Sequence, residues 1–162
     1  MKKTIVILVA AAFVLFGGIL SLAPENSYAV EDPDSGIIML IDSLAEYHSR
    51  QFTQKDASCE IAMSQDVCKD LAVRQSCIND MQKRIGARFI RASVKAEDPI
   101  VYTAENGFEV LFNETTVLYY KYPSSTETDQ MEFSVFHKVF LTRDLEIVSD
   151  EFSEEMITGF SN

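Results

Sequence analysis

The chain has 162 residues, and 14 Lys and Arg stand against 25 Asp and Glu, giving a net charge of −11. An acidic surface repels phosphate backbones and anionic lipid head groups, which argues against nucleic acid as a partner. The length suits one domain with its own core rather than several.

The N-terminus has the layout of an export signal. Lys2 and Lys3 precede an apolar stretch from Ile5 to Leu22, and Ser27-Tyr28-Ala29 supplies a small-residue cleavage site after Pro24. Residues 1–29 are therefore expected to be a signal peptide removed on export to the periplasm or outside the cell, and the Met-Lys-Lys start reads as bacterial. The alternative is an uncleaved anchor, because about 18 apolar residues suffice to span a bilayer; membrane contact is expected in that case alone. Cleavage leaves 133 residues, 30–162, with 12 basic and 24 acidic side chains and a net charge of −12.

Residues 30–36 read as a polar lead-in whose Asp34 or Ser35 caps a helix. Ile37, Ile41, Leu44, Ala45, His48 and Phe52 recur at three- and four-residue steps and predict a helix over 37–54. A linker at 55–58 follows. A second helix is predicted over 65–85, with Val67, Leu71, Ile78, Met81 and Ile85 on one face, Ser64 as its cap and Gly86 as its stop.

Cys59, Cys68 and Cys77 lie nine residues apart. In an oxidising compartment a disulfide is expected. Two positions nine residues apart on one helix are about 13 Å from each other along its axis, too far for a bond. Cys59 is thus expected to pair with Cys68 or with Cys77, the shorter loop favouring Cys68.

After Gly86 the period changes from helical to alternating. Strands are predicted over 88–94, 100–104, 108–112, 116–122, 131–141 and 145–149. Asn106-Gly107 marks a hairpin of the type needing positive φ at both central positions, and Asn113-Glu114 reads as a further turn. Residues 150–162 read as an acidic tail with a helical turn through Met156, Ile157 and Phe160. Helices followed by an antiparallel meander define an α+β domain over 37–162 with the helices packed on a curved sheet.

Alternate residues of the long strand place Phe133, Val135, His137, Val139 and Leu141 on one face, apolar except for the histidine. His48 likewise falls on the buried stripe of the first helix. One reading is a pocket lined by His48, His137, Tyr102, Tyr120 and Tyr122, where an imidazole near neutral pKa acts as base or ligand contact. The plainer reading is two histidines hydrogen-bonded at the core edge. Two histidines without a third ligand do not make a metal site, so none is expected. Phe136 and Phe140, on the other face of the strand, offer a surface for a protein partner or a homodimer. Asn113-Glu114-Thr115 fits the glycosylation pattern but falls in a predicted turn. No Gly-x-Ser-x-Gly, phosphate-cradling glycine loop, His-Glu-x-x-His or calcium loop occurs, and no cofactor is expected.

The layout, with the closing segment Phe136–Asp150 and its Glu146-Ile147-Val148-Ser149 run, resembles the NTF2-like (cystatin-like) superfamily, whose final hairpin joins a long strand to a short one of that kind. The segment departs from the superfamily in lacking its usual tryptophan, and the chain lacks a strand between the early helices. The resemblance implies a cone-shaped domain with a pocket between helix and sheet. The superfamily holds isomerases, dehydratases, ligand binders, inhibitors and secretion-system scaffolds, so it implies no single activity. The expected function is an exported binding or interaction module, not an enzyme, for a small apolar ligand or an envelope protein. The alternatives are an acid–base pocket enzyme and an accessory factor of an envelope assembly.

Overall fold

The computed structural model describes residues 35–54, 60–152 and 156–161. The expected signal peptide, most of the lead-in and Cys59 lie outside them. Two helices, α1 (Ser35–Thr53) and α2 (Gln65–Ile85), pack on one face of a curved, unclosed antiparallel sheet of five strands. The strands are β1 (Arg88–Ala104), β2 (Gly107–Lys121), β3 (Asp129–Thr142), β4 (Ile147–Phe152) and β5 (Met156–Ser161). The α+β class expected from the change of period is the one observed.

Both helices form where their apolar stripes predict. In α1 the six stripe residues are all buried, and the helix begins two residues early, taking in Ser35 and Gly36. The bounds of α2 are as expected. The Ser64 hydroxyl accepts from the Val67 amide, and Gly86 ends the helix at φ 65°, a left-handed conformation that costs glycine nothing. Glutamines of α2 satisfy the carbonyls at the end of α1, which have no partner in their own helix. Gln75 Nε2 donates to the Gln51 and Gln54 carbonyls, and Gln82 Nε2 to that of Phe52.

The sheet corrects several boundaries. Strands predicted at 88–94 and 100–104 are one strand, β1, carrying bulges at its register shifts between Phe89 and Arg91 and between Glu97 and Ile100. Each bulge inserts one residue and flips the parity of the strand, so Phe89, Ala96 and Val101 all face inward despite odd spacings. Asp98, at φ 50°, forms the second bulge ahead of Pro99. The proline is tolerated because β1 is an edge strand.

Residues 108–112 and 116–122 are likewise one strand. Asn113 and Glu114 do not turn: they pair with Phe136 and Val135 of β3 and with Glu97 and Ala96 of β1. Pairing on both sides overrides the local preference of Asn for turns. The hairpin before β2 turns through Glu105 and Asn106, with Ala104 opposite Gly107, and neither Asn106 nor Gly107 has positive φ. Gly107 is needed for a different reason. A Cβ there would lie 1.8 Å from the Leu141 carbonyl oxygen of β3.

The tail forms strand rather than a helical turn. β5 pairs with the first half of β3 along the edge whose second half pairs with β4. No disulfide joins the described residues; Cys68 and Cys77 sit half-buried on α2, and Cys59 is not among those described.

The inner face of the sheet and the two helices enclose two apolar clusters. One gathers Ile37, Ile41 and Leu44 of α1 with Val110, Phe112, Val139 and Ile147. The other gathers Phe52, Ile78 and Met81 with Phe89, Leu118, Phe133 and Val135. Polar side chains lie between them.

Candidate functional site: a buried histidine–carboxylate ring

His48, from the stripe of α1, and His137, from the inner face of β3, meet in the interior. Their rings stack at 5.5 Å between centroids and 30° between planes. Each donates from Nδ1 to a carboxylate. His48 Nδ1–H reaches Glu114 Oε2 at 2.6 Å, and His137 Nδ1–H reaches Asp150 Oδ1 at 2.7 Å. The second contacts run crosswise. His137 Nε2 is 3.7 Å from Glu114 Oε1, and His48 Nε2 is 3.7 Å from Asp150 Oδ2. Two short and two long contacts thus alternate around a closed ring of four side chains. At 3.7 Å the long contacts exceed hydrogen-bond length, and both Nε2 atoms are buried without a hydrogen-bond partner.

The ring is held from several directions. Phe112 stacks on His137 at 5.1 Å and 6°, and Phe152 flanks the same imidazole at 5.8 Å. Arg74 of α2 places Nη2 3.8 Å from Glu114 Oε1, while its Nη1 donates to Gln51 Oε1 at 3.3 Å. Gln51 Nε2 in turn donates to the Leu71 carbonyl at 2.8 Å.

Electrostatics separate the two imidazoles. Burial and the Arg74 guanidinium lower the His48 pKa, against the pull of Glu114 and Asp150. Burial would lower that of His137 too, but the Asp150 and Glu114 carboxylates outweigh it and raise it to about 10. Burial works to raise both acids; the histidines prevail, holding Glu114 well below the usual carboxylate range and Asp150 below its ordinary value. His137 and Arg74 as cations then balance Glu114 and Asp150 as anions, with His48 neutral. A buried ring of this kind persists only because its charges cancel in pairs.

A cleft of about 180 Å³ between α2 and the end of β4 leads to the ring. Val67, Leu71 and Phe152 form its apolar wall, and Asp70, Arg74 and Asp150 its polar groups. Val67, Asp70, Leu71 and Arg74 share one side of α2 through their three- and four-residue spacing.

Of the five expected pocket residues, the structure brings together His48 and His137. Tyr102 pairs with Glu109, whose inward neighbours Phe108 and Val110 place both on the other face of the sheet. Tyr120 packs edge-on against Tyr122 at 5.9 Å, six residues along from Glu114 and so roughly 20 Å away. Tyr122 lines a separate groove with Arg88, Ile90, Lys121 and Pro123. Phe136 and Phe140 lie half-buried on the outer face, opposite Asn113 and Glu109.

Sequence reasoning missed Glu114, Asp150, Arg74 and Gln51. The local sequence signals place Glu114 in a turn and Asp150 in a tail. A signal for Glu114 was present: Val110, Phe112, Glu114, Thr116, Leu118 and Tyr120 alternate without a break. Glu114 stands beside the two histidines as a third candidate donor atom.

Comparison with protein-family models, with curated proteins and with solved structures finds no match.

Proposed function

We propose that this chain is an exported small-ligand-binding module of NTF2-like architecture whose ligand sits in the cleft between α2 and β4. The observation that carries this reading is the cleft itself, because its polar lining includes Asp150, a member of the buried ring, and Arg74, which lies 3.8 Å from Glu114 of that ring. Apolar walls with a few convergent polar groups suit a small molecule with an apolar body and one polar group. Export rests on the N-terminal signal, and the superfamily on helices packed over a curved meander.

A second reading, an acid–base pocket enzyme, is favoured by one observation. The stacked histidines have pKa values displaced in opposite directions, His48 down and His137 up, the separation that assigns a base and an acid. Tyr102, Tyr120 and Tyr122 lie elsewhere in the fold, so the acid in this reading is His137.

Native mass spectrometry of the full chain purified from its own host tests the proposal. A small-molecule adduct on the wild type that is missing from a folded Leu71→Trp variant, in which the indole fills the cleft, supports it. An adduct retained by Leu71→Trp places the ligand elsewhere and sinks it.

A further inference from the structure

The geometry points to a divalent transition-metal site formed by His48, Glu114 and His137, with Asp150 as a fourth donor. One ligand atom from each of the first three lies within 4.8 Å of the others, and all three residues are buried. They come from α1, β2 and β3, so no spacing in the sequence announces them.

Three features distinguish this arrangement from an ordinary buried ion network. First, His48 Nε2 and His137 Nε2 are buried without hydrogen-bond partners. Leaving such an atom unsatisfied is costly, and here two stand in one small space. Second, each ring is oriented by a short hydrogen bond from Nδ1 to a carboxylate, at 2.6 and 2.7 Å. That is how metal-binding histidines are commonly held, the opposite nitrogen being turned toward the ion. Third, the two long nitrogen–oxygen contacts are 3.7 Å. Donors about 2.1 Å from a common ion in tetrahedral geometry stand roughly 3.4 Å apart, close to these two separations.

The donor set names the class of ion. Two imidazoles with carboxylate oxygens suit zinc or ferrous, cobaltous and manganous ions rather than cuprous ion, which prefers sulfur, or calcium, which takes oxygen alone. Glu114 and Asp150 supply two negative charges against a dication. The site stands on the ring and does not depend on a ligand in the cleft.

Co²⁺ titration of the metal-stripped full chain tests this. One Co²⁺ per chain is expected, with the visible absorption of a four- or five-coordinate ion and displacement by Zn²⁺. Asp150→Asn should weaken binding about 10–100-fold. Leu71→Trp should keep the absorption while losing any cleft ligand, which separates this inference from the binding reading. Histidine variants risk unfolding, so X-ray absorption of the wild-type Co²⁺ form is the second measurement. Imidazole scattering from two histidines supports the site. A pale six-coordinate ion with oxygen neighbours alone, no uptake by the folded wild type, or a folded His137→Gln that keeps the absorption would overturn it.

Discussion

The His48 imidazole stacks on that of His137 at 5.5 Å, one ring carried by a helix and the other by the middle strand of the sheet. Two potential cations in stacking contact are compatible with folding because burial and the Arg74 guanidinium hold His48 down while Asp150 and Glu114 hold the charge on His137.

That arrangement fixes the pH profile of the protein with chelator present. The His137 pKa is raised in the folded state, so its contribution is complete below about 6.5 and is lost as pH rises through about 10. His48, Glu114 and Asp150 are lowered, so theirs are present above the unfolded values and lost as pH falls through the folded ones. Stability should peak near pH 6.5, where these limbs meet. Thermal melts from pH 4 to 10 check it; stability rising steadily from pH 7 to 10 would contradict it.

Glu114→Gln keeps the shape of the side chain but removes the charge that faces both histidines and Arg74. Breaking one partner out of a buried ion network costs about 3–5 kcal/mol. Urea denaturation should show that loss, and a change under 1 kcal/mol would mean that Glu114 is not ionised against these cations.

Gly107→Ala and Gly86→Ala should differ in cause and in size. At Gly86 nothing lies within 4 Å of the added Cβ, leaving only the left-handed backbone, worth about 1–2 kcal/mol. At Gly107 the methyl would meet the β3 backbone at 1.8 Å, so the β2–β3 register must part locally. The Gly107 variant should be the less stable of the two by chemical denaturation. Equal losses would show that the hairpin yields.

Phe112→Ala removes a ring that packs flat on His137 and is 2% exposed. A loss of about 3–5 kcal/mol is expected for a buried phenylalanine. The loss should be accompanied by a shift of the His137 ring resonances in the NMR spectrum. An unmoved His137 signal would mean the stacking contact does not form in solution.

Much of the fold was legible because periodicity reports which face of an element is buried. The helix stripes and the inward placement of His48 and His137 follow from spacings of 3.6 or 2, and the ends of α2 from the capping chemistry of Ser64 and Gly86. The strand boundaries were misread for one reason. Asn113, Asp98 and the acidic tail carry local turn or coil signals, and their strand pairing comes from partners distant in the chain.

The same distinction divides the site. The chain alone determined that both imidazoles point inward, because each sits on an apolar stripe whose burial leaves it no other direction. Only the tertiary structure decided what they meet. The register of β2 against β3 and of β4 against β3 places Glu114 and Asp150 beside them, and α2 packs Arg74 behind. Register is a property of paired strands, and no spacing within one strand contains it.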